Sequence, residues 1–142
     1  MSRAIDVLAA LLATGFLAGC PATTSTGTGE CDVDTQCGGE VCARDHLCRA
    51  ASDVREVTVR WTIAGAPASA ETCAGKDLYV EFHGLDLQQT LAFTPVPCPA
   101  GSFHVDKLPL DFVDAEVGPT GRGPSATSPI DATNAVTVDL RL

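Results

Sequence analysis

The sequence predicts an all-β protein, in which an antiparallel β-sandwich follows a small disulfide-stapled module and a cleaved N-terminal signal helix. Three observations predict this fold. Residues 54–142 alternate apolar and polar side chains with a period of two. Seven cysteines occur in 142 residues, and four of them fall within residues 31–48. An uncharged apolar run from Val7 to Ala18 stands near the N-terminus.

Length and charge exclude two classes of protein. A chain of 142 residues is too short for a large multidomain enzyme. Eighteen Asp and Glu residues against nine Lys and Arg residues give a formal net charge of -9. Such a surface repels phosphate backbones, so we expect no nucleic-acid partner.

Residues 1–19 are predicted to be a secretory signal. Arg3 precedes the apolar run, and small residues follow it. The run is too short to span a bilayer, which needs roughly 20 apolar residues. The signal is therefore expected to be removed on export.

The end of this signal resembles the lipobox of bacterial lipoproteins. Leu17-Ala18-Gly19-Cys20 stands where the apolar run ends. The resemblance implies that Cys20 receives a diacylglycerol, becomes the first residue and anchors the protein to a membrane. The alternatives are an ordinary signal peptide with cleavage nearby, or a buried helix.

Residues 20–30 are predicted to be a flexible tether behind the lipid. Pro21 to Gly29 carry no charge and no large apolar side chain, so they bury too little surface to fold. A flexible chain of about ten residues spans roughly 17 Å.

Residues 31–49 are predicted to be a small cysteine-rich module, called the knot below. Cys31, Cys37, Cys42 and Cys48 lie too close together to enclose a core, so disulfides must stabilise the module. Residues 40–42 and 46–49 can pair as a hairpin. Four cysteines allow three pairings, and their spacing does not choose among them.

The knot contains residues that could serve as ligands for zinc or for calcium. The five-residue gaps between cysteines do not fit structural zinc, although His46 adds a possible ligand. Asp32 and Asp34 resemble the start of a calcium loop, but Cys37 stands where that loop needs glycine and Ala43 where it needs glutamate. We expect no metal and no cofactor.

The knot resembles the short cysteine-rich knots that precede larger domains in surface proteins. Alternate pairing is usual in those knots. The resemblance therefore implies disulfides from Cys31 to Cys42 and from Cys37 to Cys48.

Residues 54–142 are predicted to form the sandwich from six strands, with room for a seventh. Pro and Gly cluster between the strands, and no stretch keeps a helical stripe. The predicted strands are residues 57–63, 78–83, 91–93, 103–105, 113–117 and 136–142.

Cys73 and Cys98 are the two cysteines of the predicted sandwich. Cys73 precedes the second predicted strand and Cys98 follows the third. Adjacent antiparallel strands joined by a short turn bring these flanks together, which predicts a third disulfide. One lipidated cysteine and three bridges then account for all seven cysteines.

The order of these features resembles the transthyretin-like modules of carboxypeptidase regulatory domains and of bacterial surface lipoproteins. The resemblance covers about residues 54–142. It rests on Trp61, the two cysteines and the motif Gly101-Ser102-Phe103-x-Val105-x-x-Leu108-Pro109. It implies a transthyretin-like β-sandwich.

The sequence offers little chemistry for catalysis. It contains no G-x-S-x-G or H-E-x-x-H motif and no phosphate-binding glycine loop, so no catalytic residue is predicted. His83 and His104 are placed on outward strand faces, where they could bind a metal if their strands were neighbours. Tyr79 is a candidate for stacking against a sugar ring. Trp61 lies on the same face of its predicted strand as the apolar residues, so it is expected in the core.

The acidic run Asp111, Asp114 and Glu116 is interpreted as a solvated strand face in preference to a cation site.

Two functions remain. The favoured one is a non-enzymatic, lipid-anchored envelope protein that contacts another envelope or surface protein, at the outer membrane more than the inner. The alternative is a ligand-binding or metal-binding lipoprotein that uses His83, His104 and Tyr79.

Overall fold

A computed structural model describes residues 29–86 and 88–142. The predicted signal at residues 1–19, the lipid site Cys20 and the tether as far as residue 28 lie outside the described residues. No helix in the described part of the chain is long and apolar enough to cross a membrane.

The strands occupy most of the chain between the knot and the C-terminus. In chain order they are β1 (Val41–Cys42), β2 (Cys48–Arg49), β3 (Val54–Ile63), β4 (Ala66–Pro67), β5 (Asp77–Gly84), β6 (Thr90–Pro97), β7 (Ser102–Pro109), β8 (Phe112–Pro119), β9 (Ala126–Pro129) and β10 (Ala135–Leu140). One short helix, α1 (Ala70–Cys73), precedes β5, and Ser69 caps its N-terminus by accepting a hydrogen bond from the Thr72 amide.

The knot is a two-stranded hairpin held by two disulfides. β1 pairs with β2 in antiparallel register, Cys42 opposite Cys48. The bridges join Cys31 to Cys42 and Cys37 to Cys48, with Cα–Cα distances of 5.8 and 5.3 Å. All four cysteines are buried against one another and form a small core of their own.

The first sheet is built around β3. β7 pairs antiparallel with Val54 to Arg60, and the short β4 pairs with the end of β3. β10 lies along β3 in parallel register, from Ala135 opposite Thr58 to Leu140 opposite Ile63.

The second sheet has the order β6-β5-β8-β9, and all of its pairs are antiparallel. Its inner face meets the inner face of the first sheet. The shared core takes alternate residues from β3, β5, β8 and β10, as the period of two predicts. The all-β sandwich with an N-terminal disulfide-linked segment is therefore confirmed.

A third disulfide lies inside this core. Cys73 at the end of α1 bonds to Cys98 directly after β6, and both residues are fully buried. The indole Nε1 of Trp61 donates a hydrogen bond of 2.8 Å to the Cys98 carbonyl. Trp61 is thus a core residue, as its parity on β3 predicts.

Two features of the sandwich differ from the sequence expectation. β9 lies in a segment interpreted as a loop, because Ala126 to Pro129 contain no large apolar side chain. β10 runs parallel to β3, whereas we expected antiparallel strands throughout. Side-chain alternation reports burial of one face and carries no information on the direction of the neighbouring strand.

Candidate functional site

The outer face of the second sheet carries most of the polar side chains singled out in the sequence. Tyr79, Glu81 and His83 point outward from β5, because the residues between them are buried in the core. β8 is the neighbour of β5, and its outward residues include Asp114 and Glu116. These five residues are called the β5–β8 cluster below.

Cross-strand register places two carboxylates opposite each other within this cluster. Glu81 lies directly opposite Glu116, and His83 lies directly opposite Asp114. Two carboxylates in facing positions of an antiparallel pair repel each other. His83 is placed between them, with Nδ1 3.9 Å from a Glu81 oxygen and Nε2 3.8 Å from a Glu116 oxygen. A protonated His83 would offset this repulsion.

Tyr79 is hydrogen-bonded to the same carboxylate. Its hydroxyl donates to Glu116 Oε1. Burial, followed by this bond to a carboxylate, raises the pKa of Tyr79 above its usual value. In return, the Tyr79 hydroxyl and then Ser125 lower the pKa of Glu116.

The Tyr79 ring lies over a glycine of the neighbouring strand. Gly118 is opposite Tyr79 in the register of β5 and β8. A Cβ atom at Gly118 would stand 2.8 Å from the Tyr79 Cε1 and hydroxyl atoms, and 2.9 Å from the Ser125 Cβ. The absence of a side chain at Gly118 therefore leaves room for the ring where its hydroxyl reaches Glu116.

The cluster is a polar surface and not an enclosed cavity. The side chains of Glu81, His83 and Glu116 keep about a third of their surface exposed, at 33, 31 and 28%. A shallow depression of about 340 Å³ beside Tyr79 and Glu81 extends to the loop at Thr120 and Gly121. The arrangement can accept hydrogen bonds and hold positive charge at the sheet surface.

His104 does not belong to this cluster. It lies on β7, in the first sheet, where it is exposed and its Nδ1 is 3.4 Å from the Thr58 hydroxyl. The outer faces of two packed sheets point in opposite directions. A metal site shared by His83 and His104 would need neighbouring strands, and β5 and β7 lie in different sheets.

The acidic run of the sequence is divided between two places. Asp114 and Glu116 lie on β8, whereas Asp111 lies in the turn before it. There Asp111 accepts a hydrogen bond from the Gln89 amide and lies 3.5 Å from Arg49. Asp114 and Glu116 thus share the outer face of β8, and Asp111 is separate from them.

Within the described residues, the cysteines of the knot form the one group of three or more potential metal-ligand atoms that all lie close to one another. Sulfur atoms of Cys31, Cys37 and Cys42 lie within 4.8 Å of one another. Each of these sulfurs is also part of a disulfide. A disulfide sulfur is not a thiolate, so the group does not favour zinc.

The contact between the knot and the sandwich was not predicted. Lys107 Nζ lies 2.7 Å from Asp34 Oδ1, and the Arg44 guanidinium bonds to the Asp106 carboxylate. The Arg44 amide also donates to the Lys107 carbonyl at 3.1 Å. These partners are separated by more than sixty residues, and no local pattern connects them.

A cleft of about 520 Å³ remains between the knot and β6. Its floor is formed by the half-buried side chains of Leu91 and Phe93, and its far wall by the knot around Val33. Ion pairs of Arg44 and Lys107 close one side of this cleft. The knot therefore covers the β6 and β7 edges of the sandwich only in part.

Comparison of the chain with known protein families, with curated proteins and with solved structures found no match.

Proposed function

We propose that this protein is an exported, lipid-anchored envelope protein that acts through contacts and performs no catalysis. The observation that carries the proposal is the distribution of its cysteines. Six of the seven form three disulfides, which persist in oxidising compartments. The seventh, Cys20, ends the Leu17-Ala18-Gly19-Cys20 sequence behind an apolar run.

A transthyretin-like module at residues 54–142 is part of this proposal. Its support is the pair of facing sheets and the position of the Gly101 to Pro109 motif on β7, where it pairs with β3. The buried Trp61 and the Cys73–Cys98 bridge add to that support.

The geometry of the histidines supports a role in binding and not in catalysis. A nucleophile needs a base within hydrogen-bond reach. In residues 29–86 and 88–142, the one histidine ring within hydrogen-bond distance of a hydroxyl or thiol side chain is His104, whose contact with Thr58 is a long one of 3.4 Å on an exposed strand face. The partner that fits this proposal is another envelope or surface protein, and Pro21 after Cys20 favours the outer membrane.

Intact mass spectrometry of the protein purified from its own membranes tests the proposal. We expect loss of residues 1–19, added acyl mass on Cys20, and no thiol alkylation until disulfides are reduced. Reduction should then expose six thiols. Cys20→Ser is the matched control, because it removes the acyl mass and leaves the three bridges. An uncleaved N-terminus with freely alkylated thiols would overturn the proposal.

A second candidate function is ligand binding at the β5–β8 cluster. Its support is the convergence of Tyr79, Glu81, His83 and Glu116 on one sheet face. Isothermal titration with Zn²⁺ should show saturable binding that His83→Ala abolishes. His104→Ala is the matched control, because His104 lies on the opposite outer face and its loss should leave that binding unchanged. Equal effects of both substitutions, or no saturable binding, would exclude this candidate.

A further inference from the structure

Two leucines are exposed on neighbouring turns at one end of the sandwich. Leu85 follows β5 and Leu110 joins β7 to β8, with exposed fractions of 76 and 48%. The Leu85 amide donates to the Asp111 carbonyl, and the Leu110 amide donates to the Asp53 carbonyl. The first of these hydrogen bonds joins the two turns, and the second joins the Leu110 turn to the start of β3.

Exposed leucines at turns need an explanation. Tight turns favour Gly, Asn, Asp and Ser, whose backbone preferences suit them. Large apolar side chains left in water at adjacent positions mark contact surfaces. Among the described residues, the other large hydrophobic side chain with comparable exposure is Val33, in the knot.

The described chain begins at this same end. The Gly29 carbonyl accepts a hydrogen bond from the Cys48 amide. The next residue, Arg49, lies 3.5 Å from Asp111 in the turn that contains Leu110. A path of direct contacts therefore connects the start of the described chain to both leucines. The end formed by the turns at Leu85 and Leu110 is called the tether end below.

We propose that the tether end rests on a lipid bilayer, with Leu85 and Leu110 in the interfacial region. This inference rests on the proposed lipidation of Cys20. Nine peptide units separate Cys20 from Gly29, and they reach at most about 30 Å when fully extended. The anchor thus keeps the tether end beside the membrane at a high effective concentration. Even a weak apolar contact of the two leucines with the bilayer would then be formed in a large fraction of the molecules.

The charges at the tether end indicate which lipid headgroup charge it would tolerate. Asp53 and Asp86 are exposed there, and Arg49 is paired with Asp45 and Asp111. An anionic surface would repel these carboxylates. The contact therefore fits a zwitterionic lipid surface, and phosphatidylglycerol should weaken it.

Tryptophan quenching by brominated lipid tests the inference. The protein has one tryptophan, Trp61, which is 3% exposed and lies outside the reach of lipid. The lipidated full chain is reconstituted in phosphatidylcholine vesicles as the Leu85→Trp and Leu110→Trp variants. Arg122→Trp is the matched control, because Arg122 is exposed in the loop after β8, at the opposite end of the sandwich. Mass spectrometry and vesicle flotation establish anchoring of each variant.

We expect insertion into vesicles to blue-shift the emission of Leu85→Trp and Leu110→Trp and brominated lipid to quench it. Arg122→Trp should stay at the level of the unsubstituted protein. Anchored protein with equal quenching at both ends would overturn the inference and leave lipidation intact. Shielding of Leu85→Trp in native membranes but not in vesicles would also overturn it, in favour of a protein partner. Absence of acyl mass and of flotation would overturn the proposed function and this inference together.

Discussion

Lys107 of the sandwich holds Asp34 of the knot, with its Nζ 2.7 and 2.8 Å from the two carboxylate oxygens. Lys107 stands at a bulge between β7 and β3 and has a left-handed backbone, with φ of 51°. That conformation costs roughly 1 kcal/mol for a residue with a Cβ atom. The Arg44 amide donates a hydrogen bond to the Lys107 carbonyl. The knot is therefore attached to the sandwich at this bulge through both the side chain and the backbone of Lys107.

Asp34 links the two parts of this contact. Its Oδ1 accepts from the Cys42 amide at 2.9 Å as well as from Lys107. We expect Asp34→Ala to increase hydrogen exchange at the Cys42 and Arg44 amides and to leave the amides of β5 unchanged. Asp32→Ala is the matched control, since the Asp32 side chain is 85% exposed. Unchanged exchange at Cys42 in Asp34→Ala would contradict this role.

The knot contact should depend on pH in the acid range. Lys107, and then the Cys42 amide, lower the pKa of Asp34, and Arg44 lowers the pKa of Asp106. A carboxyl whose pKa is depressed in the folded state stabilises that state above its unfolded pKa of about 3.9. The contribution is lost as pH falls through the lower folded pKa. Protection of the Cys42 and Arg44 amides should therefore be constant from pH 7 to about pH 5 and decline below about pH 4. Constant protection down to pH 2 would exclude this mechanism.

The strands could be predicted because their signal is local. β3 alternates buried and polar residues from Val57 to Ile63, and the positions of Trp61 and Tyr79 in the alternation of their strands predict that one faces the core and the other faces solvent. β9 gave no such signal, because it is a short edge strand without a large apolar residue. Its pairing with β8 is a tertiary contact that the sequence of residues 126–129 does not encode by itself.

The candidate site could be predicted only in part, for the same reason. Alternation placed His83 and His104 on outward faces, and both do face outward. Which sheet each strand joins depends on the chain topology, and here β5 and β7 join different sheets. The convergence of Glu116 on Tyr79 and His83 depends on the register of β5 with β8, which no local pattern contains.

Tyr79 should titrate above the usual tyrosine range. It is the single tyrosine of the chain, so tyrosinate absorbance in the near ultraviolet reports it alone. Burial and the hydrogen bond to ionised Glu116 both disfavour the phenolate and raise the Tyr79 pKa. We expect a midpoint above about 10, and a lower midpoint in Glu116→Gln. Glu71→Gln, an exposed change outside the cluster, should leave the midpoint where it is. Identical midpoints in all three proteins would show that the carboxylate does not act on Tyr79.

Gly118→Ala should displace the Tyr79 ring. The new Cβ would come within 2.8 Å of the Tyr79 hydroxyl, closer than carbon and oxygen approach without a bond. The ring can swing toward solvent, because it lies at the sheet surface. We therefore expect the Tyr79 midpoint to fall and a carboxyl NMR titration to show a higher pKa for Glu116. Gly29→Ala is the matched control, because a Cβ atom at Gly29 meets nothing within 4 Å. Retention of the native Tyr79 midpoint in Gly118→Ala would mean that the ring does not need the glycine.

The Cys73–Cys98 bridge should be a main source of sandwich stability. It closes a sequence separation of 25 residues, and it adjoins the Cys98 carbonyl that receives the Trp61 hydrogen bond. Replacing both cysteines by alanine avoids a buried hydroxyl, and we expect the free energy of unfolding to fall by about 2 to 4 kcal/mol. Urea unfolding followed by Trp61 fluorescence measures the sandwich directly, since that indole is in its core. The control is the double variant Cys31→Ala and Cys42→Ala, which removes one bridge of the knot. Because the cysteines of the knot form a separate core, this variant should shift the urea midpoint of the Trp61 fluorescence less. A larger shift from the knot variant than from the sandwich variant would mean that the knot, and not the buried bridge, stabilises the sandwich.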